Sequence, residues 1–216
     1  MSMNLSFVAV GAALLSGLLP LLWGRHPGAV RTTAFVLLGL SGLAGVVGGV
    51  LALVTGQQAS VILPVGLPWL HCHLALDPLS GFFLSVVSLV ALVAAVYGPA
   101  YVREYEEGPQ PLLPLTLFTG LFVAGMDIVL LAADAFSFMI GWEMMSVTSY
   151  FLVAYQHQHE VNRRAAFIYL LMAQVGGLFI LLGYGVLAGF GHGFDFTHMA
   201  AAHLSPGWSS IAFLLA

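Results

Sequence analysis

Glu143 is the residue of this chain whose position most clearly indicates chemistry. It lies inside the apolar run Ala135–Tyr155, which is long enough to cross a bilayer and holds no other charged side chain. A charge at the centre of a membrane-crossing helix costs about 2.5–3.5 kcal/mol on insertion scales, so such groups carry protons or ions, or pair with a charge on another helix. A buried structural carboxyl is the competing interpretation. The proton-exchanging one is favoured because Glu143 lies about 13 Å into its helix, near the midplane.

Further polar residues could continue a path from Glu143. Ser146 and Tyr150 follow it at spacings of three and seven residues and therefore share its helical face. Asp127 lies in the outer part of the preceding helix, where an interfacial role and an exit-path role are both open. Gln174 lies deep in the sixth predicted helix and needs a hydrogen-bond partner, which favours a role in joining helices over a direct one in conduction. The possible proton path therefore comprises Ser146, Tyr150, Asp127 and Gln174.

The histidines give little support for a metal site. His71 and His73 flank Cys72, and His157 and His159 form a second pair, but both pairs lie in predicted loops without a set of acidic or cysteine partners. We therefore expect solvated loop histidines and no bound metal. The sequence also has no cysteine cluster for iron–sulfur ligation and no glycine-rich nucleotide loop, so no cofactor is expected in this chain.

The composition is that of an integral membrane protein. Charged residues make up 6% of the 216 residues and hydrophobic ones 60%, whereas a soluble domain carries about 25% charged residues. No basic block points to nucleic acid. The predicted fold is all-α, a polytopic transmembrane bundle of about six full helices and the start of a seventh near Trp208. The predicted spans are Leu5–Trp23, Thr32–Val54, Pro78–Tyr101, Leu112–Ala132, Ala135–Tyr155 and Ala165–Ala188.

The arginines predict the orientation of these helices. All five lie in alternate loops, at Arg25, Arg31, Arg103, Arg163 and Arg164. The positive-inside rule makes those loops cytoplasmic and places the N-terminus outside. Residues 55–77 then form an external loop, for which an extended or hairpin-like conformation is expected.

Three segments resemble a known family. Trp142–Ser146 (WEMMS) followed by Ser149–Val153 (SYFLV) resembles the fifth-helix motif of antiporter-like proton-translocating subunits. These are the large membrane subunits of respiratory complex I, the cation/proton antiporters and the energy-converting hydrogenases. Leu76–Ser80 resembles the entry to the third helix, and Asn162–Gly176 resembles the start of the sixth. The sequences of these motifs are most similar to those of the hydrogenase-4 and formate-hydrogenlyase type of large membrane subunit.

The resemblance implies that the chain is the N-terminal part of a larger fold with inverted helical repeats. Residues 1–110 would supply the first three helices with the external loop at 55–77, and residues 111–216 the first part of the proton-translocating repeat. It further implies that Glu143 pairs with a lysine on the seventh helix. This chain holds no lysine, so that partner is expected beyond Ala216. Some complex I relatives have charged residues where Gln174 and Gly177 lie here, so the resemblance carries over a role for Glu143 alone.

The resulting hypothesis is a proton-translocating subunit of a redox-driven complex, of the membrane hydrogenase or NADH:quinone oxidoreductase type, in the cell inner membrane. Its partners would be other membrane and peripheral subunits, which alone would hold iron–sulfur, NiFe or flavin centres. One alternative is a cation/proton antiporter subunit without redox partners, and another is a non-conducting structural subunit. A seven-helix receptor is disfavoured because the sequence lacks a lysine for a retinal Schiff base and has few polar anchors. The sequence leaves the pumped ion, H⁺ or Na⁺, open.

Overall fold

In the part of the chain that the structure describes, six helices are long and apolar enough to cross a membrane, as the sequence predicted. The computed structural model describes residues 1–24, 26–56, 58–67, 70–105 and 111–215, so Arg25 and Ala216, which enter the predictions above, lie outside the described residues. The helices are α1 (Ser2–Leu18, continued by a 3-10 turn over Leu19–Trp23), α2 (Pro27–Thr55), α3 (Pro78–Tyr101), α4 (Leu112–Leu131), α5 (Ala135–Val153) and α6 (Glu160–Gly191). Two shorter helices follow, α7 (Phe196–Ala200) and α8 (Pro206–Leu215).

The predicted external loop is an antiparallel hairpin of β1 (Ala59–Leu67) and β2 (Leu70–Leu76), in which Ala59 pairs with Leu76. Leu74 and Leu76 are buried while the intervening Ala75 is not, which is the alternation of a strand with one apolar face. The hairpin is thus a β element added to an otherwise helical fold.

The hairpin closes one end of the bundle. Six buried side chains from α1, α2, β2, α3 and α4 form a cluster there: Met3, Ala52, Leu74, Leu76, Leu84 and Leu131. We call this the hairpin end. The opposite end, where α2 and α6 begin and α3 stops, carries Arg31, Arg103, Arg163 and Arg164 and is called the arginine end. The division of the chain at residues 110 and 111 stays a prediction.

Glycines allow the helices that position the site to touch at their backbones. A methyl group on Gly17 of α1 would lie 2.6 Å from the carbonyl oxygen of Leu117 in α4. A methyl group on Gly125 of α4 would lie 3.0 Å from the backbone nitrogen of Met145 in α5. Small residues are typical of such close contacts between membrane helices. This packing places α4 between α1 and α5.

Helix α6 differs most from its prediction. It begins at Glu160, ahead of the predicted Ala165, because residues 160–164, which are polar except for Val161, form its first turn at the arginine end. Of the six spanning helices it is the least buried. Among the spanning helices its main contact is with α5, so the α5–α6 interface is where the polar residues of both helices can meet.

Candidate functional site

The start of α5 is fixed by Asp134. Its carboxylate is fully buried and accepts hydrogen bonds from the backbone nitrogen of Ser137 at 2.8 Å, from the Ser137 hydroxyl, and from the backbone nitrogen of His73 at 2.7 Å. Asp134 is therefore an N-cap that also ties the hairpin to the helix. Glu143 lies nine residues further, about 13 Å along the helix. The cap thus sets the depth of Glu143.

Glu143 contacts a neutral partner. Gln174 Nε2 of α6 donates to Glu143 Oε2 at 3.0 Å. Among the described residues, no cationic side chain forms an ion pair with this carboxylate. The sequence predicted that Gln174 needs a partner, and the structure supplies Glu143 as that partner.

Ser146 and Tyr150 follow Glu143 towards the arginine end. Ser146 is 2% exposed. Tyr150 is partly exposed and lines a cleft of about 520 Å³ between the start of α4 and the end of α5, together with Pro111, Phe118 and Tyr155. Of the two residues predicted to share the face of Glu143, Tyr150 thus borders a cleft at the arginine end, whereas Ser146 is buried.

A second polar contact between α5 and α6 was not predicted. The hydroxyl oxygens of Ser149 and Tyr169 lie 2.8 Å apart, and Ser149 Oγ also donates to the carbonyl oxygen of Ser146. Ser149 lies outside the row at spacings of three and seven residues, so a search restricted to the face of Glu143 misses it. The sequence could have indicated this contact, because α5 and α6 are consecutive antiparallel helices and Ser149 and Tyr169 lie at the same height along them.

Asp127 lies outside the α5–α6 interface. Seven residues before it on α4, Gly120 approaches Gly17 and the backbone of α1, and a spacing of seven returns to the same helical face. Gly125, which faces Met145 of α5, lies on the opposite side of α4. Asp127 is 1% exposed, and neither of its carboxylate oxygens has a hydrogen-bond partner among the described residues. The structure therefore separates Asp127 from the other members of the predicted path.

The histidines differ from the sequence expectation at one position. His157 and His159 are exposed, as expected of loop residues. His73 is instead partly buried, and its Nδ1 lies 3.1 Å from Asp195 Oδ1, while His198 Nδ1 lies 3.4 Å from the other oxygen of Asp195. The expectation is wrong for His73 because β2 folds against the α4–α5 turn. No group of three His, Cys, Asp or Glu in the described part of the chain could hold a metal ion.

Comparison with known proteins relates this helical arrangement to one superfamily. The family described as NADH:quinone oxidoreductase/Mrp antiporter, TM, matches residues 132–216, which include Glu143. Hydrogenase-4 component B of Escherichia coli is 32% identical over 184 residues, which cover 82% of this chain and 27% of the relative. NADH-quinone oxidoreductase subunit L of Escherichia coli is 29% identical over 150 residues, which cover 66% of this chain and 24% of the relative. The chain thus spans about a quarter of the length of these relatives.

The fold agrees with this relationship. The structure of the Mrp complex from Dietzia sp. superposes with a TM-score of 0.75 over 99% of this chain and 40% of that chain, at 20% sequence identity. The two chains therefore share a fold although their sequences have diverged. The chain is a multi-pass membrane protein and belongs to the superfamily of antiporter-like membrane subunits that includes hydrogenase-4 component B, NADH-quinone oxidoreductase subunit L and the Mrp antiporters.

Proposed function

We propose that this chain is part of a proton-translocating subunit of a redox-driven membrane complex, in which Glu143 takes up and releases a proton. The observation that carries the proposal is the contact of Glu143 with Gln174 inside the α5–α6 interface. A carboxylate is retained there at a cost of about 2.5–3.5 kcal/mol for a charge at a helix centre. Its partner among the described residues is an amide and not a cation.

A neutral partner suits a group that changes its protonation state. The amide N–H of Gln174 can donate to the charged carboxylate, and it can also donate to the carbonyl oxygen of the neutral acid. A cationic partner would instead favour the charged form. The Glu143–Gln174 contact is therefore compatible with both protonation states of Glu143.

The surroundings of Glu143 offer a route towards the arginine end. Tyr150 lines the cleft there, and Ser149, one residue before it, contacts Tyr169 of α6. Six residues separate Ser149 from Glu143, about 9 Å along α5. That distance exceeds a single hydrogen bond, so transfer over it needs bound water.

Coupling to redox chemistry is inferred from the relatives. Hydrogenase-4 component B and NADH-quinone oxidoreductase subunit L carry the names of redox complexes, and this chain has one cysteine, too few for an iron–sulfur cluster. We place iron–sulfur, NiFe or flavin centres in partner subunits of a hetero-oligomeric complex of the cell inner membrane. The second candidate is a cation/proton antiporter subunit, which is favoured by the similarity to the Mrp complex.

The test measures proton uptake by inverted vesicles that contain the full-length protein in its complex. H₂, formate and NADH are supplied in turn as electron donors. Glu143→Gln is expected to lower donor-driven uptake at least about a hundredfold, the scale on which a proton-transferring side chain contributes. Glu160→Gln is the matched control, since Glu160 is exposed in the first turn of α6, and it should leave uptake unchanged.

The alternatives give different results in the same vesicles. An antiporter without redox partners would dissipate an imposed pH gradient after a Na⁺ pulse with no electron donor present. A non-conducting structural subunit would leave donor-driven uptake unchanged in Glu143→Gln when the complex is fully assembled. Either result contradicts the proposal.

A further inference from the structure

Asp127 is an enclosed carboxyl group near the end of α4, and its neighbours on the same face of the helix are apolar. Val123, Ala124 and Leu131 lie three or four positions from it and therefore share its helical face. All three are buried members of apolar clusters to which α1, α2 and α3 also contribute. Asp127 itself is 1% exposed. The carboxyl group is thus flanked by two apolar clusters on the side of α4 that faces α1.

Hydrogen bonding does not account for a carboxyl group at this position. Asp134, the second buried aspartate, accepts three hydrogen bonds and joins the hairpin to α5. In contrast, neither oxygen of Asp127 has a hydrogen-bond partner among the described residues. Asp127 therefore joins no two elements of the described part of the chain, and a role in holding helices together does not explain its presence.

The elements packed against α4 supply no cation to Asp127. Their charged and titratable side chains are Arg31 of α2, Tyr97 and Tyr101 of α3, Glu143 and Tyr150 of α5, and His71, Cys72 and His73 of β2, while α1 has none. Arg31 lies at the opposite, arginine end, and His73 contacts Asp195. Because Asp127 is already enclosed, a cation from another part of the protein reaches it only if the surrounding helices separate.

We propose that Asp127 is a second proton-binding site of this chain, which holds its proton while α1 and α4 are packed together and releases it when they separate. A buried carboxylate without a partner costs far more free energy than the neutral acid, so the packed contact requires the proton. When the helices separate, water reaches the carboxyl group. Its O–H bond then breaks, the proton forms an O–H bond on a water molecule, and the carboxylate is left hydrated. The reverse transfer restores the neutral acid before the helices close, and none of these steps depends on the role proposed for Glu143.

The first test is infrared spectroscopy at neutral pH of the full-length protein in its complex, with ¹³C in the side-chain carboxyl groups of aspartate. This label shifts the C=O band of a protonated aspartic acid and leaves that of a glutamic acid in place. We expect a label-sensitive band of a protonated carboxyl group in the wild type that is lost in Asp127→Asn. Asp77→Asn is the matched control, because Asp77 is a partly exposed aspartate at the same end of the bundle, and it should keep the band.

A second measurement needs no variant and covers the case in which Asp127→Asn does not fold. After transfer of the wild-type complex to D₂O, the band should shift slowly at rest and faster while an electron donor is supplied, because exchange requires α1 and α4 to separate. The absence of a band that depends on Asp127, or equal exchange rates with and without the donor, overturns the inference. Neither result bears on Glu143, whose role fails separately if Glu143→Gln leaves donor-driven proton uptake unchanged.

Discussion

Two aspartates cap helices at the hairpin end, and their surroundings differ. Asp77 accepts one hydrogen bond, from the backbone nitrogen of Ser80 at 2.7 Å, and is partly exposed. Asp134 is fully buried and accepts three, from two atoms of Ser137 and from the backbone of His73. Removal of Asp134 therefore leaves buried donors without acceptors, which is more costly than the loss of an exposed cap.

We expect Asp134→Ala to lower the free energy of unfolding by about 2–3 kcal/mol, and Asp77→Ala by about 1 kcal/mol. The measurement is denaturant unfolding of the purified full-length protein in detergent, followed by tryptophan fluorescence. Equal effects of the two substitutions would contradict a special role for Asp134 in anchoring the hairpin.

At the scale of single residues, helical periodicity predicts which residues share a face of a helix, but not which residues of other helices they contact. The shared face of Glu143, Ser146 and Tyr150 follows from spacing alone. The bond between Gln174 and Glu143 depends on the relative height of two helices, which no local pattern contains. The orientation of Asp127 likewise depends on which neighbour α4 meets on each side.

The contact of α2 with α3 is the clearest case in which an element is held by glycine. A methyl group on Gly42 would lie 2.8 Å from the carbonyl oxygen of Ser88 and 2.8 Å from the backbone nitrogen of Leu92. On the same helix, a methyl group on Gly39 would meet only Ala95 Cβ, at the ordinary distance of 3.5 Å. The two positions thus allow a matched comparison of the same substitution.

We expect Gly42→Ala to lower the free energy of unfolding by about 1–3 kcal/mol, because backbone atoms cannot move aside without separating the helices. Gly39→Ala should be neutral or stabilising by up to about 1 kcal/mol, the gain in helix propensity. Thermal unfolding of both variants in detergent checks this. A Gly39→Ala variant as unstable as Gly42→Ala would contradict the role given to the α2–α3 distance, since helix propensity favours alanine.

At the scale of elements, hydropathy predicts that a helix is present better than it predicts the residues at which the helix begins and ends. The predicted third helix, Pro78–Tyr101, has the observed bounds because Asp77 and Pro78 are strong start signals. The sixth was predicted too short because its first turn is polar. Residues 55–77 could be expected only as extended or hairpin-like, since the pairing of Ala59 with Leu76 is a matter of register.

At the scale of the whole molecule, the positive-inside rule predicts that the hairpin end faces outward, and exposed residues at each end allow a test. Ser60 lies on β1 and His159 lies just before α6. In a full-length variant without Cys72, Ser60→Cys should react with a membrane-impermeant maleimide in intact spheroplasts. His159→Cys should react only in inverted vesicles. The opposite pattern of labelling would reverse the proposed orientation.

The two ends of α6 are held by different hydrogen bonds, and this difference determines how the helix can tilt. Beyond Gly191 the chain is fixed by backbone hydrogen bonds between Phe196 and Ala133 and between Ala135 and Phe194, whereas the preceding part of the helix contacts α5 through the side chains of Tyr169 and Gln174. Gln174 lies about 26 Å along the helix from Gly191, at 1.5 Å per residue. Pivoting α6 by about 2° around the tied end would displace Gln174 by about 1 Å by this geometry. Because backbone hydrogen bonds hold α6 at the hairpin end, a small tilt about that end suffices to part Gln174 from Glu143.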